Sequence, residues 1–197
     1  MSRVSPPWPP VPVEPAIPHP KAPSAGTELG VHFGECFGCG DELEAGLHLR
    51  STVGEGLVVH SRFTVTSAHQ GAPGLAHGGL LACAFDEALG STVGNLMRRP
   101  AVTAKLETDF RRPVPVGSTL YIATKLDGIA GRKIYVSAEG HLDAADGPIA
   151  VSARALFIVV GFEHFSTHGD PQALEKLAAQ REKNLRERAE REWDINP

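Results

Sequence analysis

Apolar, often β-branched residues alternate with polar ones over residues 101–110, 119–129, 133–142 and 149–160, and Gly- or Pro-bearing turns separate these runs. A side-chain period of two, bounded by such turns, predicts antiparallel strands with one covered face each. Two earlier runs, 46–53 and 57–65, alternate in the same way and are joined by Gly54-Glu55-Gly56, which predicts a hairpin. The stretch between the hairpin and the four later strands is different. From His77 to Gly90 the chain is apolar on nearly every side after two glycines, which predicts a helix buried all round that ends near 94–99, ahead of Pro100. One apolar helix and about six antiparallel strands are satisfied together by a curved sheet wrapped around the helix, an α+β fold.

The ends of the chain follow other patterns. Residues 1–30 carry Pro6, Pro7, Pro9, Pro10, Pro12, Pro15, Pro18, Pro20 and Pro23, a density that forbids helix or central strand and predicts an extended or disordered arm. Trp8, Val11, Val13 and Ile17 are its large apolar residues, available to dock it on a neighbour. Residues 162–169 lead away from the last strand, and Asp170-Pro171 reads as an N-cap with proline at the first helical position. The segment beyond is a charged helix with a thin apolar stripe of Leu174, Leu177, Ala178, Leu185, Ala189 and Trp193. The expected organisation is an arm at 1–30, one domain at 31–165 and a helical extension at 166–197.

Composition narrows the function classes. The chain has 197 residues and a net charge of −4, with 19 basic and 23 acidic side chains interspersed. No basic stripe with aromatics points to nucleic acid. No apolar run reaches the ~20 residues of a membrane span, and the Pro-broken start lacks the pattern of a secretory signal, so a cytoplasmic protein is expected. Three cysteines fit reduced thiols better than a disulfide framework.

The candidate chemistry sits in the helix. Asp86 and Glu87 interrupt its apolar run, and an ionised carboxylate without partners is costly in dry surroundings, so one of them is expected to face a cavity where something binds. The two are turned ~100° from each other around the axis, so only one faces a given site. Gly78 and Gly79 open the helix without side chains, and its first amides have no internal partner, which is the chemistry of an oxyanion hole. Gly79 and Asp86 lie on nearly the same face but are separated by ~10 Å along the axis, too far to touch one carbonyl. A second copy of the helix, antiparallel across a two-fold axis, would bring amides and carboxylate together, which predicts a homodimer with shared active sites.

The run Ala76-His77-Gly78-Gly79, with an aspartate nine residues after the histidine, resembles the PaaI-like acyl-CoA thioesterases of the hotdog fold, in the branch that includes the THEM proteins. The resemblance reaches back through His69-Gln70-Gly71-Ala72-Pro73-Gly74 to Cys36-Phe37-Gly38-Cys39-Gly40, forward through Thr103 to Phe110-Arg111-Arg112-Pro113, and covers about residues 33–160. It implies a hotdog domain that hydrolyses an acyl-CoA thioester without a cofactor. Asp86 would serve as general base or as nucleophile, and the Gly78 amide, with Gly79, would hold the oxyanion. His77 would orient the loop or donate to the thioester, or serve only as a helix-entry residue. Thr103 would hold the attacking water, unless it is ordinary strand composition. Related enzymes place an asparagine six residues before the histidine; here that position is Gly71, so a bond of that kind would come from elsewhere, such as Gln70 or His69, or be absent. The fatty or aromatic acyl group would lie between subunits of a dimer or tetramer, with Arg111 and Arg112, and also Lys105, Lys125, Arg132 and Lys133, as candidates for the CoA phosphates.

Two other functions use the same fold: a non-catalytic acyl-CoA-binding protein, disfavoured by the desolvation cost of Asp86, and a dehydratase or hydratase, whose own Asp/His motif is not found. A metal is not expected. Cys36 and Cys39, with His32 and His48, offer four donors, but a single Cys pair with irregularly spaced histidines is a weak zinc pattern, and His48 reads as part of an alternating strand.

Overall fold

The structure, a computed structural model, describes residues 7–179 and 182. It divides into two compact units, residues 1–160 and 161–197.

The first unit is a seven-stranded antiparallel sheet around one helix. In chain order its elements are β1 (Glu28–Leu29), β2 (Arg50–Val53), β3 (Val58–Thr64), β4 (Gln70–Ala72), β5 (Leu75–Ala76), α1 (Gly78–Thr92), β6 (Ala101–Phe110), β7 (Thr119–Ala130), β8 (Lys133–Leu142) and β9 (Ile149–Val159). The sheet runs in the order β1-β2-β3-β7-β8-β9-β6, and β4 and β5 form a separate two-stranded ribbon. The expected count of six grows to seven because the end of the Pro-rich arm supplies β1, where Glu28 and Leu29 pair with Thr52 and Ser51.

The helix is buried as its composition requires. Leu81, Ala84, Phe85, Ala88, Leu89 and Thr92 are all buried. They pack into a core with Val59, Leu120, Ile122, Ile134, Val136, Ala155 and Phe157 from the facing strands. Phe85 is fully buried, and removing such a ring from water is worth roughly 1.5–3 kcal/mol. Gly140 of β8 makes room for it, since a Cβ there would fall 2.7 Å from Phe85 Cζ. The helix closes through a π turn at Val93–Met97, and Arg98, at φ 51°, turns the chain out ahead of Pro100.

Two irregularities matter for function. In β6 the register skips one residue between Thr103, opposite Phe157, and Lys105, opposite Leu156. Thr103 and Leu106 are three apart, yet both lie opposite inward residues, Phe157 and Ala155. Without the bulge they would face opposite sides of the sheet. The second irregularity corrects the predicted strand 46–53. Only residues 50–53 are strand; His48 takes φ 48° and its Nδ1 donates to the Gly40 carbonyl at 2.9 Å.

The described part of the arm lies along its own sheet. Trp8 Nε1 donates to Asp127 Oδ2 at 3.0 Å, its ring meets Tyr135 edge-on at 5.3 Å, and the Arg154 guanidinium sits 5.2 Å above it. Glu14 and Ile129 exchange both backbone bonds, and a Cβ on Gly128 would fall 2.4 Å from Val13 Cγ2. Register puts Tyr135 and Arg154 on the face away from α1, so the arm covers the convex side of the sheet.

In the second unit, α2 (Phe162–His168) is a two-turn helix where the sequence predicted only an exit from the sheet. Asp170 Oδ1 accepts from Gln172 N at 3.0 Å, and residues 171–179 are helical. Leu185, Ala189 and Trp193 of the expected stripe lie outside the described residues. Among the described residues no helix is long and apolar enough to cross a membrane.

Candidate active site

Asp86 and Glu87 look to different sides of α1. Asp86 faces β6, where Thr103 Oγ1 donates to its Oδ1 at 2.8 Å. Glu87 faces the 32–40 loop, with Oε2 3.4 Å from Cys36 Sγ and Oε1 3.4 Å from His32 Nδ1. The bulge in β6 is what aims Thr103 at the helix, as bulges beside functional sites often do. Burial pushes the Asp86 carboxyl above the ordinary carboxylate range; the Thr103 hydroxyl opposes this and the Glu87 charge adds to it. A carboxylate raised in this way is a stronger base than a solvated one.

The helix entrance is built by the β4–β5 ribbon. His77 is the N-cap of α1, held there by a bond from its own amide to the His69 carbonyl at 2.8 Å. Its ring Nδ1 accepts from Gly79 N at 2.9 Å. This corrects one expectation: the Gly79 amide is engaged by His77 and is not open to an oxyanion, which leaves the Gly78 amide at the helix start. The Phe110 ring lies over Gly78, where an added Cβ would sit 3.4 Å from Cζ.

Gly71 is glycine for a physical reason, because a Cβ there would fall 2.8 Å from His77 Cα. The two residues named in its place, Gln70 and His69, each spend one side-chain atom on the local backbone. Gln70 Oε1 accepts from Gly74 N at 3.2 Å, bracing its own loop. His69 is buried, its Nδ1 accepts from Thr66 N at 3.1 Å, and its Nε2 has no partner among the described residues.

The six candidate cations do not act together. Arg111 and Arg112 are exposed directly after Phe110, at the Gly78 end of the helix, and both backbone amides bond to the Ala150 carbonyl. Register turns Lys105 and Lys125 to the convex face, where Lys105 pairs with Glu107, and it puts Lys133 level with Val102, away from the helix entrance. Burial, with Asp86 and Glu87 nearby, pushes the Cys83 thiol up, away from the thiolate that a nucleophile uses. The contact sequence reasoning missed is the one across Glu87, where bonds to Cys36 and then Glu87 push His32 up to about 10 and the bond with Cys39 pushes the Cys36 thiol well below its ordinary range.

Comparison with known proteins agrees with this fold. Residues 73–145 match the family model of the thioesterase superfamily. The bovine acyl-coenzyme A thioesterase THEM4 is 40% identical over 99 residues, covering 50% of this chain and 39% of that protein. Human THEM5, of the same description, is 36% identical over 72 residues, covering 36% and 29%. The chain therefore spans about two fifths or less of the length of these curated relatives. Among solved structures, the Escherichia coli PaaI protein of the phenylacetic acid degradation operon superposes with a TM-score of 0.53 at 19% identity, covering 58% of this chain and 81% of that one. A Thermus thermophilus PaaI variant gives 0.53 at 20%, covering 61% and 100%. The sheet around α1 is thus a hotdog, and the chain that forms it is similar over residues 73–145 to the thioesterase superfamily.

Proposed function

We propose that this protein hydrolyses an acyl-CoA thioester to the free acid and CoA. The observation that carries the reading is a carboxylate, Asp86, on a largely apolar helix and held in one orientation by the Thr103 hydroxyl. Asp86 takes a proton from water, the water attacks the thioester carbonyl, and the Gly78 N–H receives the developing oxyanion. The intermediate collapses with loss of the CoA thiolate, which recovers the proton from Asp86.

The reaction runs in a homodimer. Gly78 and Asp86 are separated by ~12 Å along one helix, so the amide comes from the partner's α1. The β6 strand, ten residues long, ends the sheet and leaves an edge for a second copy. Arg111 and Arg112 serve the CoA phosphates beside the Gly78 end, and the acyl group lies between the subunits.

The test is release of free thiol from short, long and aromatic acyl-CoAs by wild type and Asp86→Ala. Loss of a general base predicts a fall of roughly 10²–10⁴-fold in turnover. Equal turnover in both proteins, or none in either, refutes the assignment, and retained acyl-CoA binding without turnover identifies a binding protein.

A further inference from the structure

Glu87 belongs to a second cluster that the hydrolysis does not use. His32 Nδ1, Cys36 Sγ, Cys39 Sγ and a Glu87 carboxylate oxygen all lie within 4.8 Å of one another. His32 Nδ1 is 3.0 Å from Cys39 Sγ and 3.4 Å from Glu87 Oε1, and Cys36 Sγ is 3.4 Å from Glu87 Oε2. Four ligands at the usual Zn–N, Zn–O and Zn–S lengths of about 2.0–2.3 Å stand roughly 3.4–3.8 Å apart at the corners of a tetrahedron. With all four atoms within 4.8 Å of one another, small side-chain shifts bring the cluster to that spacing, and its thiols, imidazole and carboxylate are donors that suit zinc.

The surrounding chain is shaped for it. Gly38 N donates to Cys36 Sγ at 3.3 Å, a contact that steadies thiolate charge. Gly40 N closes the loop on the Cys36 carbonyl at 2.8 Å, and a Cβ on Gly40 would fall 2.2 Å from the Gly34 carbonyl oxygen. A Cβ on Gly38 would fall 2.6 Å from Glu87 Cγ, so the residue just before Cys39 is bare where the helix carboxylate enters. Cys39 is buried, and the Glu87 side chain is only 14% exposed.

The geometry points to a closed, structural Zn2+ site in which His32, Cys36, Cys39 and Glu87 tie the 32–40 loop to the middle of α1. The spacing argument against zinc counted His48 as the fourth donor; the fold turns His48 to the Gly40 carbonyl and supplies Glu87 from 48 residues past Cys39 instead. Binding releases to solvent the protons held by the thiols and by the His32 ring, and leaves four protein ligands with no open position, which suits a brace rather than a catalyst. None of the four residues acts in the proposed hydrolysis, so the site and that activity can fail separately.

The test uses the full chain, reduced, stripped with a chelator and titrated with Co2+ as an optical probe, with Zn2+ in competition. One Co2+ per chain is expected, with the intense visible bands of tetrahedral cobalt, a thiolate charge-transfer band in the near ultraviolet, and displacement by Zn2+. Cys83→Ser keeps the charge-transfer band, whereas Cys36→Ser and Cys39→Ser each lose intensity. Glu87→Gln weakens binding by more than the roughly 10–100-fold that outer-shell changes cost. Since a loop variant can fail to fold, wild type is also alkylated with and without Zn2+, which should protect Cys36 and Cys39 but not Cys83. A wild type with neither charge-transfer band nor protection overturns the site. A band that survives loss of both loop cysteines, or unchanged affinity in Glu87→Gln, overturns this ligand set.

Discussion

Thr103 Oγ1 donates to Asp86 Oδ1 at 2.8 Å, a bond that joins the edge strand to the middle of the buried helix. It exists because β6 gains one residue at the bulge and so turns Thr103 to the same side as Leu106. The same bond fixes the Asp86 carboxylate through Oδ1 and leaves Oδ2 outside it.

Thr103→Val removes this donor with little change in volume. A hydrogen bond to a charged group is worth about 1.5–3 kcal/mol, so turnover should fall roughly ten- to a hundredfold. Thr103→Ser keeps the hydroxyl and should retain most of the activity. The comparison is steady-state thiol release for the three proteins, and loss in the serine variant with activity retained in the valine variant would show that the methyl, not the hydroxyl, matters.

His77 caps α1 by accepting from Gly79 N, so His77→Ala should destabilise the protein by about 0.5–2 kcal/mol. His77→Asn restores an acceptor at the cap and should recover most of that loss. Denaturant midpoints of the three proteins read the cap directly. An alanine variant as stable as wild type would mean that the Gly79 amide finds another partner.

Much of the scaffold was legible in the sequence, and the reason is periodicity. Strands β6 to β9 alternate over ten to twelve residues, and their ends are marked by turns, so β6 and β8 fall on the expected residues. The helix was legible from its apolar run and its glycine entrance. What was not legible is what long-range contact decides. Glu28–Leu29 is too short to show a period and gains its strand character from β2. His48 leaves the strand region because Gly40 draws its ring. Thr103 was singled out through family resemblance, as a hydroxyl to hold the attacking water, but its bond to Asp86 was not, since nothing in the strand pattern announces the bulge. Glu87 meets Cys36 across 51 residues, which no local spacing encodes.

Gly140→Ala tests the packing at the centre of the fold. The added Cβ would fall 2.7 Å from the Phe85 ring, which is fully buried and has no free side to move into. Overpacking of this kind costs about 1–3 kcal/mol. Phe85→Leu in the same background removes the clashing ring edge, so the double variant should be less destabilised than the sum of the single changes, as chemical denaturation of all four proteins would measure.

The arm can be tested through Asp127, whose two oxygens accept from Trp8 Nε1 and Ser137 Oγ. Burial pushes its carboxyl above the ordinary range, while the bonds from Ser137 and Trp8, and the Lys125 charge, hold it down. A folded-state value above the unfolded one means that the proton is bound more tightly in the native protein. Its stabilising contribution is then complete at pH below the ordinary carboxylate value and is lost as pH rises through the raised one. Asp127→Asn abolishes this dependence, so the stability of wild type relative to the variant should decline across that window, read by urea melts at a series of pH values. Trp8→Ala removes a bond that favours the ionised form, so it should deepen the decline, besides lowering stability by about 1–3 kcal/mol through lost contact with Tyr135 and Arg154. If Trp8→Ala changes neither the midpoint nor its pH dependence, the arm does not hold this position in solution.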